Sequence, residues 1–203
     1  MTSLHAWARD RLAGQLTFLV EAHRLCGIQR RSQVVGSERR ENTAEHSWHL
    51  ALLCLVLGEY APAGVDLGRV LRMVILHDLV EIDAGDTYVY DLAAQAGRLD
   101  RERVAAERIF GLLPPDQGPP FSDLWEEFEA RQTPDARFAA ALDRLAPFLL
   151  NLEHHGSSWR EHQVTADQVR ANLAKVGEGA PELAPFVSAA LDGAVAAGWL
   201  PER

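Results

Sequence analysis

The stretch VILHDLVEIDAGD, Val74–Asp86, opens as an apolar helix. It then places one histidine and four acidic residues, His77, Asp78, Glu81, Asp83 and Asp86, within ten positions. An unpaired charge beside a core is costly, and the usual remedies are an ion pair or a bound metal. Helical spacing puts Glu81 on the same face as the His77–Asp78 pair, four residues after one and three after the other. The stretch therefore predicts a helix that carries chemistry at its end.

Two other segments supply metal-ligand residue types on apolar helices. NTAEHSWHLALL contributes His46, and FAAALDRLAPFLLN contributes Asp143 among alanines and leucines. Each alone reads as a satisfied buried side chain. Together they give a histidine, a His-Asp pair 31 residues on, and an aspartate 65 residues after that pair. Two imidazoles and two carboxylates suit a divalent ion such as Mn²⁺, Co²⁺, Fe²⁺ or Zn²⁺ better than a thiolate site would, and leave room for water.

Working outward, helical periodicity dominates the 203 residues. Helices are expected over Leu4–Leu25, Ala44–Tyr60 with Thr43 as its cap, and Asp66–Glu81. Further helices are expected over Arg101–Leu113, Asp123–Gln132, Asp135–His154 with a kink at Pro147, Thr165–Lys175 and Leu183–Ala197. IQRRSQVVGSERREN reads as a basic loop, GDTYVYD as an irregular connection, PPDQGPP as a breaker and HHGSSW as a turn. No β-rich run exceeds TYVYD. The expected fold is all-α, a single-domain multi-helix bundle over 1–203, with a core at about 16–175 and a helical extension at about 176–203.

A hydrophobic fraction of 47% supports a sizeable core, and a net charge of −9 argues against a nucleic-acid polymer or an anionic membrane as partner. No apolar run approaches the ~18 residues of a membrane span. The charges in MTSLHAWARDRLAG interrupt any signal-peptide core. A cytoplasmic location is expected. Cys26 and Cys54 read as buried free thiols.

The order H…HD…D on a helical scaffold resembles the HD-domain phosphohydrolases. RRENTAEHSWHLAL, LHDLVEIDAGD and LDRLAPFLLN resemble the branch holding the bacterial 5′-deoxynucleotidases and the HD-domain-containing protein 2 group. The resemblance implies one divalent ion, Mg²⁺ also being possible, held by His46, His77, Asp78 and Asp143. It implies Glu81 beside an activated water, Asp86 on the sugar hydroxyl and Arg30 on the phosphate of a nucleoside 5′-monophosphate. It also implies a homodimer. The branch carries a tryptophan, selecting deoxyribose, where this chain has Arg31, so discrimination against ribonucleotides should be weaker here.

Glu45 is a candidate to orient His46, and Arg39 and Arg40 are candidates for the substrate mouth. Asp83 and His49 are weaker candidates, Asn151 could face the same groove, and Trp125 and Trp159 read as packing anchors. His154 and His155 read as solvated. Other open readings are hydrolysis of another small phosphorylated metabolite or signalling nucleotide, and a non-catalytic nucleotide-binding module. Hydrolysis of an alarmone fits poorly because Glu81 is followed by Ile82. A two-iron oxygenase fits poorly because His77 is the only histidine from Met73 to Asp143.

Overall fold

The computed structural model describes residues 8–202. Its elements, in chain order, are α1 (Asp10–Ala22), a 3₁₀ turn (His23–Gly27), β1 (Gln29–Gln33), β2 (Arg40–Asn42), α2 (Thr43–Leu57) and α3 (Leu67–Leu76). There follow a 3₁₀ turn (His77–Val80), α4 (Glu81–Ala84), α5 (Leu92–Gln95), α6 (Arg98–Phe110), α7 (Gly118–Ala130) and α8 (Pro134–Glu153). Short α9 (Ser157–Glu161), α10 (Ala166–Gly179) and α11 (Ala184–Ala196) end the chain. The all-α reading holds, apart from one small antiparallel pair. The Leu4–Trp7 part of the first expected helix lies outside the described residues.

α8 is the central element. It packs against α10, α3, α2 and α7, and its alanines let these neighbours approach closely. Gly179 shows how closely: a Cβ there would lie 2.0 Å from the carbonyl oxygen of Arg137. One apolar cluster runs from Phe18 through Phe138 and Leu142 to Leu191 and Leu200, so α11 shares the core of the preceding helices. Trp125 and Trp159 are buried packing anchors, as expected. Cys54 is buried, but Cys26 is exposed, against expectation, because the 3₁₀ turn after α1 directs Leu25 inward instead. No described helix is long and apolar enough to cross a membrane.

Three local departures from the sequence reading matter for the site. The basic loop contains the β1–β2 hairpin, paired Gln29 to Asn42 and Gln33 to Arg40 with an irregularity between. Strand alternation turns Arg30 inward and leaves Arg31 exposed. The cap of α2 is Asn42, not Thr43: the Asn42 side chain accepts from the Glu45 backbone N–H, and Glu45 accepts from the Asn42 N–H. Thr43 is thereby free to turn its hydroxyl inward.

The expected Asp66–Glu81 helix begins where predicted, on the Asp66 cap, but breaks after Leu76. The next turn is 3₁₀, in which residues three apart eclipse, so Asp78 and Glu81 share a face. Gly85, at φ 76°, then ends α4 in a conformation that L side chains rarely adopt. Elsewhere, α7 begins at Gly118 because the second half of PPDQGPP opens the helix rather than breaking it, proline being well suited to a first turn. The HHGSSW turn winds into α9, and Pro147 sits inside α8.

Candidate metal centre and active site

α2, the 3₁₀ turn and α8 bring their polar residues together in the core. His46 Nε2 lies 3.1 Å from Asp143 Oδ1, and His77 Nε2 lies 3.8 Å from the same oxygen. One ligand atom from each of His46, His77 and Asp143 falls within 4.8 Å of the other two. Asp78 sits at the edge of this trio. Its Oδ1 is 3.0 Å from His77 Nε2, while its Oδ2 accepts from Arg30 Nη1 at 2.9 Å and lies 3.9 Å from His46 Nε2.

The donor set fits a divalent cation. The Nδ1–H of His77 donates to the Val74 carbonyl at 3.1 Å, which leaves Nε2 to face the carboxylates. That Nε2 is buried and faces carboxylate oxygens, Asp78 Oδ1 at 3.0 Å and Asp143 Oδ1 at 3.8 Å. Burial alone would lower the His77 pKa, yet Asp78 and Asp143 raise it to about 10, so a proton there serves as the cation the carboxylates lack. His46 is driven the other way, to about 4, by burial and by Arg30. Asp143 is held low against its burial by Arg144 and the two imidazoles, and Asp78 by His77 and Arg30.

Around this centre lie three further acids and one arginine. Arg30 is enclosed by carboxylates: Asp78 at 2.9 Å, Asp86 at 3.5 Å, Glu81 at 3.8 Å and Glu41 at 3.9 Å. Glu81 is buried and accepts from the Thr43 hydroxyl at 2.9 Å. Burial and the Asp78 charge raise its pKa well above the usual carboxylate range. Burial likewise raises Asp86.

The carboxylate beside His46 is Glu41, not Glu45. Glu41 Oε2 lies 3.8 Å from His46 Nδ1, and both atoms are buried without a hydrogen-bond partner among the described residues. Burial raises Glu41 to about 7. Glu45 is instead engaged by Arg39 through two bonds of 2.7 and 2.9 Å. Arg40 pairs with Glu161 and Asp83 with Arg108, so neither lines the site. His49 faces a separate surface hollow beside Trp48. His155 is exposed, whereas His154 is half-buried, its Nε2 unpartnered among the described residues, against the solvated reading.

The centre opens into a cavity of about 320 Å³, bounded also by Arg98, Arg131, Arg144 and Lys175. Arg98, Arg131 and Lys175 did not stand out in the sequence; the position of Arg144 beside Asp143 was a usable signal. A smaller recess of about 70 Å³, lined by Arg31, Tyr88, Tyr90, Phe148 and Asn151, shares Arg30, Asp86 and Arg144 with the cavity. Asn151 therefore faces the recess rather than the metal centre.

The HD domain family model matches residues 22–184. The 5′-deoxynucleotidase HDDC2 of Xenopus laevis is 28% identical over 117 residues, 58% of this chain and 57% of that protein. The chain thus spans little more than half the length of that relative. The 5′-deoxynucleotidase HDDC2 of Mus musculus is 28% identical over 143 residues, 70% of each chain. A crystal structure described as a predicted metal-dependent phosphohydrolase from Magnetospirillum magnetotacticum MS-1 is 50% identical. It superposes with a TM-score of 0.90 over 94% of this chain and 96% of its own.

Proposed function

The chain belongs to the HD domain family, and on that premise we propose that it is a metal-dependent phosphohydrolase removing phosphate from nucleoside 5′-monophosphates. The observation that carries the reading is the convergence of His46, His77 and Asp143 within 4.8 Å, beside the buried acid Glu81. The relatives named 5′-deoxynucleotidase and the phosphohydrolase neighbour support it.

His46, His77, Asp78 and Asp143 would hold the ion, of which Mn²⁺, Co²⁺, Fe²⁺, Zn²⁺ and Mg²⁺ are the candidates. Such an ion, when bound, polarises a phosphoryl oxygen and acidifies water. The protein's own groups do the rest. Glu81, whose pKa is raised by burial and the Asp78 charge and whose carboxylate accepts from Thr43, would give a proton to the departing sugar 5′-oxygen. Arg30 neutralises the surrounding carboxylates and borders both the cavity and the recess. Asp86 would accept from a sugar hydroxyl, and Arg31 would border the sugar from the exposed side.

The reading is tested by reconstituting the protein with each metal and assaying a panel of nucleoside 5′-monophosphates with and without the 2′-hydroxyl. No turnover of any member with any of the five ions would sink it. A homodimer in the cytoplasm is part of the proposal. The exposed face of α2, with Trp48, Leu52, Leu55 and Val56 at helical spacing, is where a second copy would bury apolar surface, and sedimentation reads the outcome.

A further inference from the structure

We propose that Arg131, Arg144 and Lys175 form an anion subsite that holds the phosphoryl group of the substrate, and the inorganic phosphate released from it. The inference rests on the phosphohydrolase reading and assigns its phosphate contacts to the cavity wall built by α7, α8 and α10.

The first observation is what surrounds Arg30. The resemblance gives that residue the phosphate, but here four carboxylates lie within 4 Å of its guanidinium. Its charge is already engaged, Nη1 donating to Asp78 at 2.9 Å. A phosphate dianion brought to the same face would meet Asp78 and Asp86 as well as Arg30. Positive charge beyond that of a bound ion is available on another part of the cavity wall.

The second observation is three cations that, among the described residues, hydrogen-bond to no carboxylate. Arg131 ends α7 and, among the described residues, has no ion pair; its Nε is buried and unpartnered. Among the described residues, Arg144 has one ion pair, with Asp143 Oδ2 at 3.5 Å, and its Nε is likewise buried and unpartnered. Lys175, half-buried on α10, has no ion pair among the described residues. Arg98, on the same cavity, is by contrast fully paired with Glu102 and Glu129. The wall is therefore not a generally salt-bridged surface.

The third observation is that these groups raise one another's energy. Burial and its cationic neighbours, Arg144 and then Arg131, lower the ammonium of Lys175 to about 8. Burial and Arg144 lower Arg131. Three like charges in a partly desolvated wall are unfavourable until an anion enters, and guanidinium groups match phosphate oxygens bidentately. Because Arg144 touches Asp143, an anion on this wall lies beside the metal centre rather than at a remote site.

Isothermal calorimetry of inorganic phosphate binding to the full chain, with and without Mn²⁺, tests this. Lys175→Met and Arg131→Gly should each weaken phosphate binding by about tenfold or more, the scale of a lost charged hydrogen bond. Glycine suits the left-handed backbone of Arg131, φ 53°, so that variant removes the side chain without straining the fold. Arg103→Met, which removes an exposed charge elsewhere on α6, should change the affinity less than twofold. Unchanged phosphate affinity in both cavity variants overturns the subsite, as does a wild-type chain that binds no phosphate. A chain that turns over no nucleotide but loses phosphate binding in these variants keeps the subsite and loses the proposed substrate. An active chain with unchanged phosphate affinity does the reverse.

Discussion

Replacing Glu41 with glutamine tests which carboxylate supports the metal centre. The substitution keeps the volume and removes a charge 3.8 Å from His46 Nδ1. At about 4 Å and an effective dielectric of about 20, two full charges interact by roughly 4 kcal/mol. The Nδ1–H of a metal-bound imidazole carries only part of a unit charge, and Arg30 Nε, 3.9 Å from the same oxygen, shares the carboxylate. That leaves about 1.5–3 kcal/mol, consistent with the 10–100-fold loss of metal affinity typical when a ligand's supporting carboxylate is removed. Glu41 titrates near 7, because burial raises it. Its charge is therefore present above that pH and lost below it. Mn²⁺ titrations should show wild-type and Glu41→Gln differing 10–100-fold at about pH 8.5 and converging at about pH 5.5. Glu45→Gln should match wild type at both. Equal affinities for Glu41→Gln and wild type at the higher pH, or a loss confined to Glu45→Gln, would refute the reasoning.

Other outcomes follow from the same geometry. Glu81→Ala should retain metal but lose turnover by about 10²-fold or more, and Thr43→Val should lose less; wild-type turnover in Glu81→Ala makes that residue structural. Arg31 is exposed beside the recess, so kcat/KM for dAMP and AMP should differ by less than about 10²-fold, and Arg31→Trp should widen the gap if the position faces the sugar. Gly179→Ala should lower the melting temperature, because its Cβ collides with backbone; overpacking of this kind costs about 1–3 kcal/mol or more. The metal-free protein should lose stability as pH rises from about 6.5 to about 10. His77 binds its proton more tightly folded than unfolded, so that contribution is complete below the lower value and gone above the upper one. The metal-loaded protein, in which the ion replaces the proton, should lack this loss in thermal melts.

The helices were legible because their apolar faces repeat at helical spacing and their caps are marked, as at Asp66 and Thr165. The break after Leu76 was not. Over the four residues His77–Val80, a period of 3.0 cannot be told from 3.6 by pattern. His46, His77 and Asp143 stood out as polar residues interrupting apolar runs. Lys175 and Arg131 did not: on an amphipathic helix and at a helix end, a lone cation has the local signature of a solvated residue. Their proximity to Arg144 arises only when α7, α8 and α10 pack together.

The hairpin was hidden for a related reason. Gln29–Gln33 and Arg40–Asn42 contain no apolar alternation, so nothing in their composition announces a strand. Backbone pairing forms it, and its register decides the electrostatics of the centre. Period-two alternation sends Arg30 inward from β1 and Glu41 inward from β2, while Arg31 is exposed and Arg40 reaches out to Glu161. A slip of one residue would exchange those faces, bringing Arg31 and Arg40 toward His46 and carrying Glu41 to solvent. Adjacency in sequence favoured Glu45 as the partner of His46, but Glu45 lies on the helix and serves its cap. The strand before the helix, four residues further back, delivers the carboxylate that the imidazole meets.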